Sequence, residues 1–157
     1  MRSQLSQAVL DNLAVAWSRL DRARPRREAD VPDLLCALDE WVRWAVRVDD
    51  ELTGALGAPY AARRAEQPRA HALGGLRHAY DLTGRLGHPI DSLVTVSAGS
   101  PAIFYDVTWR PPEELPDAEG PADVVEAYRL HLASRPARVP ASGVTTFLLS
   151  AAVTDDD

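Results

Sequence analysis

The feature that most narrows what this chain can become is one stripe of apolar residues. Leu34, Leu35, Leu38, Trp41, Val42, Ala45, Val48, Leu52 and Leu56 recur at three- and four-residue steps, the spacing that lines one side of an α-helix. Asp30 stands where an N-cap is wanted, Pro32 is tolerated in a first turn, and Gly57 and Pro59 supply the stop. A helix this long with one apolar side must bury that side against other elements. The stripe therefore predicts a helical bundle. Trp44 lies about 100° off its centre: it either makes a second contact or covers the edge of the same core.

Weaker periodicities fill in the neighbours. Leu5, Val9, Leu13, Trp17 and Leu20 predict a helix over 4–22, ended by Pro25. "YAARRAEQ" reads as a short helix halted at Pro68, and 69–86 as the next, with Leu73, Leu76, Tyr80 and Thr83 on one side. The Gly74–Gly75 pair weakens that helix where it begins. The period then changes. "SLVTVS" and "IFYDVTW", separated by "AGSPA", read as a β-hairpin, and "RPPEELPDAEGP" as a loop without its own helix or strand. Val124, Val125, Tyr128 and Leu132 restore helical spacing. "SGVTTFLLSAAV" reads as helix, although its Val and Thr lean toward strand. The expectation is a mainly α bundle of four to six helices with a β-hairpin insertion around residues 92–109. It forms one helical domain over 1–153, followed by an acidic tail at 154–157.

Composition removes whole mechanisms. All 17 cationic residues are Arg, and the chain has no Lys, so Schiff-base chemistry, a phosphate-loop lysine and a lysine base are excluded. The Arg bias, with abundant Ala and Pro, fits a GC-rich bacterial coding sequence. One Cys allows no internal disulfide. With no signal-like start and no long apolar run, these features predict a soluble cytoplasmic protein without membrane contact. A net charge of −6 disfavours a broad nucleic-acid surface, yet Arg22, Arg24, Arg26 and Arg27 form a local basic patch. That patch either meets nucleic acid or interacts with the C-terminal dipole of the first helix.

Chemistry concentrates in "GGLRHAYDLTGRLGHP", Gly74 to Pro89. Arg77, Asp81 and Arg85 fall four apart and are placed to pair along the helix surface. His78 near Asp81 has the makings of an oriented acid–base group. His71 and His78 are about 10 Å apart along a helix, too far to share a metal, and His88 sits between Gly87 and Pro89. No metal or cofactor is expected. Asp39–Glu40 and Asp49–Asp50–Glu51 lack the spacing of a di-iron site, and Arg43 and Arg47 lie close enough to neutralise several of them. Tyr105, Trp109 and Arg110 suit a partner-binding surface; alternatively, Trp109 folds the hairpin onto the bundle while Arg110 pairs with Glu113 or Glu114.

The segment "LRHAYDLTGR" resembles the Arg-(Asn/Asp)-x-x-x-His region of the HEPN superfamily. The resemblance implies a small helical bundle of a kind that includes many metal-independent ribonucleases. Such proteins often act as dimers whose paired Arg and His meet across the interface, His as acid–base group and Arg as phosphate contact. In this sequence the motif Arg falls on Tyr80, the Asn/Asp position on Asp81 and the His on Arg85. Tyr80 carries no permanent positive charge, and Arg85 cannot act as a base near neutral pH. The leading expectation is thus a non-catalytic HEPN-like protein that works by self-association or protein contacts. The alternatives are a ribonuclease using His78 or His88 with Arg77 and Arg85, and a small-molecule binder with a pocket around Tyr80, Tyr105 and Trp109.

Overall fold

A computed structural model describes residues 5–87, 90–98, 103–115 and 120–153. The expected mainly α bundle with a β-hairpin is what the chain forms. Its helices are α1 (Gln7–Arg22), α2 (Val31–Leu56), α3 (Ala58–Glu66), α4 (Ala72–Leu86), α5 (Ala122–His131) and α6 (Arg138–Ala152). Strands β1 (Val94–Ala98) and β2 (Tyr105–Trp109) pair antiparallel between α4 and α5. The acidic tail at 154–157 lies outside the described residues.

The apolar stripe of α2 is the axis of the bundle. Leu34, Leu38, Trp41, Ala45, Val48 and Leu52 are buried, and α2 touches α1, α3, α4 and α6. Trp44 is half-buried against the edge of that core. Gly57, the expected stop, takes φ +59° between α2 and α3, and Gly87 takes φ +63° at the end of α4, a backbone that glycine adopts most readily. Asp30 occupies the position before α2 but makes no side-chain cap; its carboxylate accepts from Arg27 Nε at 3.0 Å.

The ambiguous last segment is helical because tertiary burial overrides its β-branched residues. Val144, Phe147, Leu148 and Ala151 are in the core. Thr145 Oγ1 donates to the Ala141 carbonyl at 2.8 Å and accepts the buried Trp41 indole N–H at 2.9 Å, tying α6 to α2. The loop after the hairpin contains one 3₁₀ turn, Pro112–Glu114.

The buried side of α4 is rotated from the expected one. Ala72, Leu73, Gly75, Leu76, His78, Ala79 and Leu82 are buried, whereas Tyr80 is 38% exposed. The reason lies in Gly74 and Gly75, which let α5 approach. A Cβ on Gly75 would stand 2.8 Å from Tyr128 Cα, and one on Gly74 would stand 2.9 Å from Ala127 Cβ. Backbone cannot retreat from such a contact as a flexible side chain can. Gly75→Ala is therefore expected to lower unfolding stability by about 1–3 kcal/mol, despite the better helix propensity of Ala. Urea titration checks this; an unchanged or higher midpoint would show that the helices have room to part.

Candidate functional site

A connected set of ionisable side chains lies where α2, α3 and α4 meet. Asp49 faces inward from α2 and is only 3% exposed. Its Oδ1 accepts the Tyr60 hydroxyl at 2.6 Å and its Oδ2 meets Arg64 at 3.1 Å. Tyr60 and Arg64 are four apart on α3, hence on one side of it, so a single carboxylate holds the whole short helix. Next to it Asp50 pairs with Arg77 of α4. Burial raises the Asp49 carboxyl above its usual range, opposed by Arg64 and the Tyr60 hydrogen bond. Burial and the bond to Asp49 push the Tyr60 phenol up as well.

This arrangement corrects the helix-surface ladder expected at Arg77, Asp81 and Arg85. Arg77 reaches across to α2 instead, and Asp81 and Arg85 are exposed on α4. The expected neutralisation along α2 is present, with Arg43 on Asp39 at 2.8 Å and Arg47 on Glu51 at 2.7 Å.

His78 does not face solvent. It is 2% exposed, packs edge-on to Tyr128 with ring centroids 5.7 Å apart, and lies under Gly120. Burial lowers its pKa, and the Arg85 charge adds to that effect against Asp81. Burial thus favours the neutral imidazole, the state suited to the interior. Tyr128 also packs edge-on to Trp109, at 6.2 Å, and gives its hydroxyl hydrogen to the Arg110 carbonyl at 2.7 Å. Trp109, at 1% exposure, is thus the residue that folds the hairpin onto the bundle. Arg110 does not pair with Glu113 or Glu114; its Nε donates to the Val94 carbonyl at 3.2 Å. His88 lies outside the described residues.

Tyr80, Tyr105 and Trp109 do not converge on a pocket. The Tyr105 N–H donates to the Pro25 carbonyl at 2.7 Å, at the end of β2 away from Trp109. Four strand residues place these two about 13 Å apart, while Tyr80 faces outward near Arg43.

The basic patch after α1 is largely engaged locally. Arg22 Nε donates to the Ser18 carbonyl, Arg24 Nε to the Asp21 carbonyl, and Arg27 pairs with Asp30. This favours the helix-end reading of these cations. Arg26 is exposed. An open groove of about 420 Å³ between α1 and α2 contains Cys36 and is bridged by the Arg19–Glu40 pair at 2.7 Å. Among the described residues no group of three or more His, Cys, Asp or Glu is placed to hold a metal. No described helix is long and apolar enough to cross a membrane.

Two clusters escaped sequence reasoning. Arg138, at the start of α6, pairs with Asp106 of β2, donates to the Ala23 carbonyl and lies over the Phe104 ring. His71 packs against His131 at 5.4 Å between ring centroids. Burial, His71 and Arg135 lower the His131 pKa. Neither cluster has a local signature, since each joins residues far apart in sequence. The burial of Asp49 with Tyr60 and Arg64 escaped sequence reasoning as well, although Asp49 falls on the α2 stripe between Ala45 and Leu52.

Compared with models of protein families, with curated proteins and with solved structures, the chain matches none.

Two measurements follow from these environments. Tyr60→Phe removes a donor from a buried carboxylate and is expected to cost about 1–3 kcal/mol; calorimetry showing an unchanged midpoint would mean that water or Arg64 replaces it. For His78, a folded pKa below the unfolded value makes its contribution complete above about pH 6.5, to be lost as pH falls. The loss approaches about 1.4 kcal/mol per pH unit until the folded pKa is reached. In urea titrations from pH 7 to 5, His78→Leu should show a shallower fall than the wild type; equal slopes would contradict the burial argument.

Proposed function

We propose that this chain is a non-catalytic helical interaction protein, a HEPN-like bundle that acts through protein contacts rather than by cleaving RNA. The observation that carries the reading is the engagement of the motif helix by its own fold. On α4, His78 is buried beside Tyr128, and Arg77 is paired with Asp50. A general base must reach the proton that it removes, and a phosphate contact needs a cation turned toward the ligand. The side chains on the motif positions, Tyr80, Asp81 and Arg85, are exposed together on α4. Asp81 and Arg85 lie one turn apart and Tyr80 about a third of the way round the helix from them, an exposed aromatic and charged arc of the type found at protein interfaces. In this reading the α4 arc receives a protein, and His78 and Asp49 are structural groups.

A photoreactive residue replacing Tyr80 tests the reading in living cells of the source. Adducts with protein are expected, together with intact RNA after incubation with the purified chain in the absence of metal. RNA cleavage without metal that is lost in His78→Ala would overturn the reading, as would adducts with RNA alone.

A further inference from the structure

Among the described residues, the hairpin has one covered edge and one edge that is open at Val96 and Ala98. Its register pairs Val94 with Trp109, Val96 with Val107 and Ala98 with Tyr105. The Arg110 N–H donates to the Leu93 carbonyl at 3.0 Å. Bonded and non-bonded pairs alternate along an antiparallel ladder, so Thr95 and Ser97 bond to β2. The backbone groups of Val94, Val96 and Ala98 then point away from it. The same alternation turns Tyr105, Val107 and Trp109 outward on the other edge.

That other edge is covered throughout. Tyr105 donates to Pro25, and Val107 accepts from the Ala137 N–H at 3.1 Å. Trp109 donates to Arg135 and accepts from Ser134. The Val107 N–H is taken by the Asp106 carboxylate at 2.8 Å. On β1, Arg110 reaches the Val94 carbonyl. Among the described residues, nothing meets the N–H or C=O groups of Val96 and Ala98.

Side chains point the same way. Val96 lies opposite Val107 and so shares its side of the sheet, the side that buries Val94 and Trp109. Yet Val107 is 0% exposed and Val96 39%. Among the described residues, Val96 has no neighbour beyond the edge. The strand, "VTVSA", carries no charge, Pro or Gly, and thus none of the residues with which proteins blunt an open edge.

We propose that two copies of this chain join along β1, antiparallel about a two-fold axis at Val96, into one four-stranded sheet. The proposal rests on the reading of the chain as an interaction protein and names a second copy as the partner. The strand is complementary to itself in this register. Val96 faces Val96, Thr95 faces Ser97, and Val94 faces Ala98; the Val96 pair exchanges both backbone hydrogen bonds, and the Ala98 N–H shares the Val94 carbonyl with Arg110 Nε. Closed two-fold pairing of this kind uses one patch on both subunits. The uncharged strand also lets two copies of net charge −6 meet without like charges directly opposed at the seam. A two-stranded hairpin becomes a four-stranded sheet, the more stable unit.

Disulfide trapping and sedimentation test this directly. The bonded pair at the axis puts Val96 Cα atoms about 5.5 Å apart, within disulfide range. The same register places Ser97 Cα atoms about 8 Å apart, outside it. In full-length protein carrying Cys36→Ser, Val96→Cys should oxidise to a species of twice 17.1 kDa, and Ser97→Cys should yield at least about tenfold less of it. Wild-type protein should sediment as a dimer at high concentration. Val96→Pro should shift it to monomer with an unchanged circular dichroism spectrum, because an outward N–H carries no bond within the subunit. If Val96→Pro fails to fold, Val96→Arg places a charge on an exposed side chain and should give the same shift. A wild-type monomer at every concentration would overturn the proposal, as would a dimer that survives both substitutions. Neither result touches the interaction reading, which stands or falls on the Tyr80 adducts and on RNA cleavage.

Discussion

Helix α2 is apolar over too wide an arc for one neighbour to cover, and the bundle is arranged around that constraint. From Ala37 round to Val46 its buried positions sweep about half the circumference at about 100° per residue. Burial of that surface supplies the main driving force. It requires α1, α4 and α6 to share α2, with α3 packed near its end. Polar groups caught inside this arrangement must find partners. The Trp41 N–H meets Thr145, and Asp49 is met from two directions by α3. The Trp41 bond joins α2 to α6 and the two Asp49 contacts join it to α3, so satisfying buried polar groups also fixes which helices sit where.

The arginines follow a similar logic. Arg64, Arg77 and Arg138 carry ion pairs between elements that the chain alone would not bring together. Arg138 is the clearest case. A cation at the first residue of α6 opposes that helix's dipole, but its guanidinium lies at the C-terminal end of α1, where the dipole favours it. It joins α1, α6 and the hairpin, and Phe104 lies beneath both it and Arg24. Guanidinium suits these positions because its several donors can serve a carboxylate and backbone carbonyls together. A function built on Arg77 would have to break one of these ties first.

Much of this fold is legible in the sequence, because it is written in local patterns. The α2 stripe, the glycine stops and the change of period at the hairpin each occupy a short window. The faces of α4 are less legible. Tyr80 lies at helical spacing from Leu73 and Leu76, yet it faces out while His78 faces in. Gly74 and Gly75 cost helix propensity, yet in the structure they make room for α5. The ion pairs were least legible of all. Spacing alone made Asp81 the natural partner of Arg77, and no local pattern can reveal Asp50 on another helix as the one chosen. The same holds for His71 with His131 and for Arg138 with Asp106, whose members lie far apart along the chain. For Trp109 the sequence leaves two readings, a partner-binding surface or a contact of the hairpin with the bundle, and its burial decides for the second.

On α4, His78 is buried and Arg77 is paired with Asp50, and the proposed role falls to the contact surfaces. The open edge of β1 is the most specific of them, because its unmet groups are individually identifiable. Amide hydrogen exchange at Val96 and Ala98, followed from dilute to concentrated protein, tests the account most directly. Protection should rise with concentration at these two amides, while the Tyr105 and Trp109 amides, already bonded within the subunit, stay unchanged. Exchange at Val96 and Ala98 that is fast and independent of concentration would contradict it.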